Sequence, residues 1–201
     1  MPAEDRRAAR RARLLDAGFE LMGTEGWAAT TVRGVCQAAQ LNPRYFYESF
    51  DDLDALLVAV YEQVAHELSE QVLGELARAG DDPVAQVRAA IGSTVKFVDD
   101  DRRRGRVMYV EALGNEALNR RRKEAGGQLV DFLARDAEEI GRIGASILVG
   151  GFSELLANWL EGRIKVSRAQ LVDDATALFL ALGETAAAIA TRRATKPRGK
   201  K

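Results

Sequence analysis

The fold of this chain is decided by residues 31–50, which read TVRGVCQAAQLNPRYFYESF. The first half predicts a helix of only two turns, with Thr30 or Thr31 as its N-cap. Asn42 and Pro43 then suit the N-cap and the first position of a second helix, about three residues after the first one ends. The first helix has its apolar face at i, i+3, i+4 and i+7: Val32, Val35, Cys36 and Ala39. Helices this short are not stable alone, so both must pack against their neighbours.

The flanking sequence supplies those neighbours. Apolar residues at helical spacing predict a helix from about Arg6 to Gly23, and a long one from Asp51 to Ala79, with Asp51 as its cap. In the second short helix, Phe46 and Phe50 are four residues apart and are expected to face inward. A helix, two short helices joined by a tight turn, and a long helix form the layout of a helix-turn-helix, whose second short helix enters the major groove of DNA.

The exposed residues of the two short helices suit DNA contact. Arg44 lies in the first turn, where a guanidinium can pair with guanine, and Tyr45 can reach a base or a thymine methyl group. Hydroxyl groups and the free amides of a helix N-terminus suit phosphate oxygens. The predicted contacts are Thr31, Arg33, Arg44, Tyr45, Tyr47 and Ser49. The alternative is a surface helix whose tyrosines only cover the core.

Charge is distributed unevenly along the chain. Residues 6–13 hold five arginines and no acid, whereas residues 51–191 hold 24 acids and 16 bases. This asymmetry predicts that a polyanion binds at the N-terminal end, although an arginine run is also typical of a solvated helix face. We expect a flexible or helical arm on the DNA backbone or in a minor groove. The arm residues are Arg6, Arg7, Arg10 and Arg11.

Catalysis is poorly supported by the sequence. Cys36 is the only cysteine and His66 the only histidine, which leaves few nucleophile and base pairs and predicts no disulfide. Phosphate-binding loops, dinucleotide fingerprints, nucleophile elbows and metal-binding histidine pairs are absent. We therefore expect no enzyme, no catalytic residue, no cofactor and no metal site. No apolar stretch approaches the ~20 residues of a membrane span, which predicts a cytoplasmic protein.

Residues 80–83, Gly-Asp-Asp-Pro, form a turn cluster and predict a domain boundary. Helical patterns resume over 83–98, 102–114, 116–139, 141–162 and 168–193, so the predicted class is all-α. The organisation we expect is a DNA-binding domain over 1–50 continued by a linking helix over about 51–79, a ligand-binding and dimerisation domain over 80–194, and a disordered basic tail over 195–201.

The last predicted helix is apolar around much of its circumference, which indicates burial in a dimer bundle or in an ordinary intrachain core. A ligand pocket is predicted only loosely, from large or polar residues within apolar stripes, which also occur in plain cores. Glu111, between Val110 and Ala112, would need a polar partner if buried. The candidates are Phe97, Met108, Glu111, Phe132, Phe152, Asn158 and Trp159.

Residues 31–50, together with RLLDAGFELM at 13–22 and Gly26, resemble the DNA-binding domain of the TetR family of bacterial regulators. The resemblance covers about residues 10–60; beyond it only length, helical layout and a WLEG segment at 159–162 agree. It implies an all-α dimer with a small-molecule pocket in the C-terminal domain and a dimer bundle of the last two helices. The family often has a phosphate-contacting lysine where this chain has Leu53, and the arginine arm is the natural substitute.

The sequence therefore predicts a homodimeric transcriptional regulator that binds a near-palindromic site in double-stranded DNA. We expect a repressor, localised with the bacterial nucleoid when bound, which a small-molecule effector releases from its operator. The long helix over 51–79 would carry the movement between the two halves. An activator, or a ligand-binding dimer without DNA binding, remains the alternative.

Overall fold

The computed structural model describes residues 3–135 and 137–195, and the chain over these residues forms helices and turns without any strand. The all-α prediction is confirmed. Residues 196–201 of the predicted tail, and four of its cations, lie outside the described residues. The helices are α1 (Ala3–Thr24), α2 (Val32–Ala38), α3 (Pro43–Tyr47), α4 (Leu53–Ala79), α5 (Pro83–Asp100), α6 (residues 102–114), α7 (Glu116–Leu133), α8 (Glu139–Leu160) and α9 (Arg168–Thr195).

Helix α6 is irregular. It is α-helical over Arg102–Gly105 and Ala112–Gly114, with a π-helical turn over Arg106–Glu111 between them. Asp101 caps its start by accepting a bond from the Arg103 amide at 3.0 Å. The Arg103 side chain also hydrogen-bonds to Asp101 and holds the pKa of that carboxyl below its usual value.

Two predicted boundaries are wrong. The predicted helix over 116–139 ends at Leu133, and α8 begins at Glu139. Val130 and Ala134 are both buried at helical spacing, so the apolar pattern continues into the turn and hides the break. The cap of α4 is Asp52 instead of Asp51, since Asp52 Oδ1 accepts a bond from the Ala55 amide at 2.8 Å.

Contacts along the chain group it into two compact units, Met1–Gln71 with Phe97–Arg122, and Val72–Lys96 with Lys123–Lys201. Residues 97–122 thus join the N-terminal helices, whereas the sequence suggests a single boundary at residues 80–83. Helix α4 contributes residues to both units. In the first unit, α1 packs against α4 at Gly18, where a Cβ atom would lie 3.1 Å from Val60 Cγ2. The fully buried side chains of this core include Leu14, Met22, Phe46 and Leu56.

A buried carboxylate ties α6 to the turn after α1 within the first unit. Glu111 Oε2 accepts the Trp27 amide at 2.8 Å, and Glu111 Oε1 accepts Arg106 Nε at 2.6 Å. Arg106 also donates to the Thr24 carbonyl at 2.5 Å. The turn needs Gly26 because its φ is +94°. Residues 102–114 therefore hold the connection that leads into α2.

The second unit is organised around the pairing of α8 with α9. Phe152 and Phe179 meet edge to face with ring centroids 5.5 Å apart. The connection between the helices is closed by Trp159, whose indole N–H donates to the Val166 carbonyl at 3.0 Å. On one side Leu156 and Leu171 are buried, while other apolar residues of these helices remain exposed.

Helices α8 and α9 have the length and apolar composition of membrane-spanning segments, although the sequence predicts no such span. Length and composition are weak evidence, because the helices of a packed bundle share both. Only a small part of each apolar segment is buried in the single chain, and Ile143, Ile147 and Leu178 are exposed.

Candidate nucleic-acid interface

Side-chain caps begin both short helices as the sequence predicts. Thr31 Oγ1 accepts the Gly34 amide at 3.0 Å, and Asn42 Oδ1 accepts the Arg44 amide at 3.0 Å. Pro43 occupies the first turn of α3, where an amide would have no helical partner. The Thr31 hydroxyl accepts at its oxygen, so its hydrogen can still be donated to a phosphate.

The turn between α2 and α3 depends on a left-handed residue. Gln40 has φ of +52°, and it is the one non-glycine residue with positive φ in the described part of the chain. Its amide donates to the Gln37 carbonyl at 3.1 Å, and the Leu41 amide donates to the Cys36 carbonyl at 2.9 Å. This closure brings the N-terminus of α3 close behind the end of α2.

Buried aromatic and apolar residues anchor these helices. Phe46 and Phe50 are buried with ring centroids 5.8 Å apart, and Val35 and Cys36 are buried on α2. The inward faces predicted for both helices are therefore confirmed. Burial raises the pKa of the Cys36 thiol, which fits a packing role and not a reactive one.

The predicted contact residues differ in exposure. Arg44 leaves 82% of its side chain exposed and Tyr47 is 61% exposed, and Thr31 and Arg33 are exposed at and near the start of α2. Tyr45 and Ser49 are half-buried. Among the described residues, the two terminal nitrogens of Arg44 have no hydrogen-bond partner, so they are available to a base edge.

The arginine arm is helical, because residues 6–13 belong to α1. It lies against the helix-turn-helix: Arg7 donates to the Glu48 carbonyl at 2.7 Å, and Arg11 lies over the Phe50 ring with its Cζ 4.9 Å from the centroid. Arg13 donates to the Ala39 carbonyl at the end of α2. Arg6 is exposed on the same helix. The arm thus braces α2 and α3 as well as adding positive charge.

A carboxylate on α3 organises two of these cations, which the sequence reading does not anticipate. Glu48 Oε1 accepts Arg44 Nε at 3.1 Å, and Glu48 Oε2 pairs with Arg10 Nη2 at 3.5 Å. The Arg10 guanidinium lies over the Tyr45 ring, 4.4 Å from its centroid. The spacing of Arg44 and Glu48, four residues apart on one helix, is a signal for the first pair, but nothing local signals the second.

The predicted ligand residues of the first unit have intramolecular partners. Phe97 is buried beneath the guanidinium of Arg104, whose Cζ lies 4.4 Å from the ring centroid. Met108 is buried in the π-helical turn, and Glu111 is bonded to Arg106 and Trp27 as described above. The partner that a buried Glu111 would need is therefore supplied by the chain itself.

The remaining candidates are dispersed within the second unit. Phe132 is exposed, Phe152 contacts Phe179, Asn158 bonds to the Glu154 carbonyl and carboxylate, and Trp159 closes the loop after α8. A cavity of about 440 Å³ in this unit is lined instead by small and aliphatic residues, such as Ile140, Leu148 and Leu182. None of the seven predicted residues lines it.

Two polar atoms of α7 in the first unit are buried without a partner: Asn119 Oδ1 and Arg122 Nε. Burial raises the pKa of the nearby Tyr61 hydroxyl, and the positive charges of Arg122 and Arg121 oppose this shift. Burial also raises the pKa of Tyr109, with a further contribution from Tyr61. The sequence holds no signal for this polar group, because its members lie on α4, α6 and α7. No cluster of three metal-ligating side chains occurs within residues 3–135 and 137–195.

Comparison with known proteins gives a family and several relatives. The family model described as "Bacterial regulatory proteins, tetR family" matches residues 14–60. The HTH-type transcriptional regulator BetI of Stenotrophomonas maltophilia is 34% identical over 110 residues, 55% of this chain and 55% of the relative. The chain thus matches about half the length of that relative.

Solved structures share the fold over most of the chain. The fatty acid degradation regulator FadR from Bacillus halodurans superposes with a TM-score of 0.72 at 15% identity, covering 85% of this chain and 94% of that one. FadR from Bacillus subtilis, solved in complex with stearoyl-CoA, gives a TM-score of 0.68 at 15% identity and covers 84% and 96%. These similarities concern the fold.

Replacing Gln40 with glycine is expected to stabilise the protein by about 0.5–1 kcal/mol. A left-handed conformation costs a residue with a side chain roughly 1–2 kcal/mol, which exceeds the roughly 0.5–1 kcal/mol of extra chain entropy that glycine loses. Urea denaturation would measure the difference.

Gln37→Gly is the matched control, because Gln37 is exposed at the end of α2 in ordinary helical geometry. It should lower stability by about 0.5–1 kcal/mol. The explanation of the turn would be wrong if both glycine variants shifted stability in the same direction.

Proposed function

Because the chain belongs to the TetR family of bacterial regulators, we propose that it is a homodimeric transcriptional regulator, most simply a repressor, that binds a near-palindromic operator in double-stranded DNA. The observation that carries this proposal is the capped pair α2 and α3, which presents Arg44 and Tyr47 outward over a buried Phe46. The relative BetI of Stenotrophomonas maltophilia, described above, is a transcriptional regulator and not an enzyme. The bacterial cytoplasm, at the nucleoid, is the location that fits this role.

The proposed DNA contacts fall into two classes. Arg44 and Tyr45 contact bases, since they lie in the first turns of α3, which enters the major groove. Thr31, Arg33, Tyr47, Ser49 and the α1 arginines contact phosphates, which position the protein without reading sequence. The bracing of the arm against α3 supports phosphate contact along the backbone rather than a free extension into a minor groove.

Dimerisation is supported by the apolar surface of α8 and α9. Ile147 is 57% exposed and Leu178 is 68% exposed. Leaving this much apolar surface in water is unfavourable, and large apolar patches mark interaction sites. Gly150, Gly151 and Gly183 have open space where a Cβ would project, so another helix could approach closely. Two copies joined here would supply the two recognition helices that a near-palindromic operator requires, since its half-sites are ~34–36 Å apart.

The effector is proposed to be a small organic anion that also carries a hydrogen-bond donor, as in a hydroxycarboxylic acid. Arg122 Nε is a buried donor without a partner and Asn119 Oδ1 a buried acceptor without one, and such atoms are costly unless a water or ligand satisfies them. Arg121 is neutralised by Glu62 at 2.7 Å, which leaves Arg122 as the cation for the anion. The same fold in Bacillus subtilis FadR holds stearoyl-CoA, itself an anionic ligand.

Effector binding would release DNA only if it favours one of two conformations. The proposed route is α4, because it contributes residues to both units and begins directly after the helix-turn-helix. A state in which the recognition helices are wrongly spaced would have low affinity for the operator. If the DNA-bound state were instead the one that recruits polymerase, the same chain would be an activator.

Arg44→Ala is expected to weaken binding to a selected duplex by about 10- to 100-fold while leaving binding to random DNA nearly unchanged, because a bidentate base contact contributes ~1–3 kcal/mol of discrimination. The wild-type protein would first select duplexes of about 30 base pairs from a random pool, enough for two half-sites. Fluorescence anisotropy across a salt series would then give both affinities.

Arg33→Ala is the comparison for Arg44, with the same change at a proposed phosphate contact. It should weaken binding to both duplexes equally and reduce the salt slope by about 1. Folded wild-type protein that selects no duplex and shows no salt-dependent DNA binding would refute the proposed function.

Leu178→Asp is expected to convert the dimer to a monomer at micromolar concentration, because a carboxylate would be buried in the interface without a partner. Affinity for a two-half-site duplex should fall at least about 100-fold, since each half-site then binds alone. Sedimentation velocity and anisotropy would measure both. Leu73→Asp, an equally apolar and 57% exposed position on α4, should remain dimeric.

Wild-type protein is expected to be stabilised by millimolar 4-hydroxybenzoate or a related hydroxycarboxylate, by about 2.7 kcal/mol at a hundredfold excess over Kd. Arg122→Gln should abolish this response, whereas Arg121→Gln should retain it, because the Arg121 guanidinium is held by Glu62. Thermal unfolding with a panel of such acids would test this. Equal responses of the two variants would exclude Arg122 as the anion site.

A further inference from the structure

The helix-turn-helix over residues 31–50 contains a single acid, which lies at the C-cap of α3. That acid is Glu48, whose side chain is one-third exposed (34%). Each of its oxygens contacts a different arginine, Oε1 contacting Arg44 at 3.1 Å and Oε2 contacting Arg10 at 3.5 Å. One carboxylate therefore joins the helix proposed to contact bases to the arginine arm.

The contact with Arg44 directs its guanidinium. The bond uses Nε, so the edge formed by the two terminal nitrogens faces away from the carboxylate and can meet the O6 and N7 atoms of guanine. Without Glu48, the 82% exposed Arg44 side chain would be free to reach any nearby phosphate. The carboxylate therefore restricts the arginine to a geometry that suits base contact.

The contact between Glu48 and Arg10 affects Tyr45, the second residue proposed to contact a base. The Arg10 guanidinium contacts Glu48 and also lies over the ring of Tyr45, 4.4 Å from the ring centroid. Arg7 donates to the Glu48 carbonyl at 2.7 Å, which adds a contact between α1 and the end of α3. Both Arg10 and Tyr45 are thus held in place by contacts that converge on Glu48.

Stability does not explain this arrangement. Exposed ion pairs contribute little to folding, and a carboxylate beside a polyanion opposes binding. On random DNA, phosphates can attract Arg44 only by separating it from Glu48. On the cognate sequence, Arg44 can contact its base while it remains bonded to Glu48. The penalty therefore falls mainly on non-specific complexes.

We propose that Glu48 is a specificity-determining positioning residue, which holds Arg44 away from phosphates and so suppresses non-specific DNA binding more than operator binding. This inference rests on the proposed DNA-binding function. It concerns discrimination between sequences, which overall affinity does not reveal.

The test is Glu48→Gln, measured by anisotropy on the wild-type-selected duplex and on a random duplex across a salt series. The glutamine is isosteric and lies at the C-cap of α3, where the backbone amide still bonds to the Arg44 carbonyl. Random-duplex affinity should rise about three- to tenfold, with a salt slope steeper by about 1 for one added phosphate contact. The ratio of selected to random affinity should fall at least tenfold.

Two controls separate positioning from net charge. Asp51→Asn removes the same charge from an exposed residue three positions away and should change the ratio less than twofold. In an Arg44→Ala background, Glu48→Gln should change the ratio of selected to random affinity only slightly, because the arginine that Glu48 positions is absent.

The inference is overturned if Glu48→Gln leaves the ratio within twofold of wild type, or if Asp51→Asn lowers the ratio as much. If the wild-type protein selects no duplex, both the proposed DNA-binding function and this inference are refuted. If the wild-type protein is selective and Glu48→Gln leaves the affinity ratio unchanged, only this inference is refuted.

Discussion

Two helices of seven and five residues cannot persist in water by themselves, and their burial against α1 and against each other is the constraint on which the structure depends. Phe46 is fully buried, and Val35 fills the same core from α2. Side-chain caps and the left-handed Gln40 settle where each helix begins and ends. Once these elements are fixed, the outward positions of Arg44 and Tyr47 follow from the 3.6-residue period of the helix.

Charge acts on this scaffold in two ways. Residues 6–13 of α1 contain no acid, and contacts with carbonyls, rings and the single carboxylate of α3 are made by Arg7, Arg10, Arg11 and Arg13. These contacts hold α1 across α2 and α3, and the positive charge of the same arginines is what the proposed phosphate contacts require. Structural bracing and ligand attraction therefore depend on the same side chains, and a substitution among them alters both.

The helix-turn-helix could be predicted from sequence because its determinants are local: caps, a proline, and apolar residues three and four apart. Apolar periodicity could not locate the break between α7 and α8, since buried Val130 and Ala134 continue the pattern across it. The same limit applies to the site. Arg44 is readable as an exposed residue in a first turn, but the pairing of Arg10 with Glu48 joins positions 38 residues apart. Asn119 and Arg122 lack a signal altogether, because their burial depends on packing between distant helices.

The hydrogen bonds between residues 102–114 and the turn after α1 have a consequence for synthesis of the protein. The first unit is closed by Glu111, Arg106 and Arg103, and its last residue is Arg122. A nascent chain cannot complete this unit until more than half of its 201 residues have left the ribosome. The helix-turn-helix is translated before residues 102–114, so an incomplete polypeptide would lack the finished unit on which the proposed DNA contacts depend.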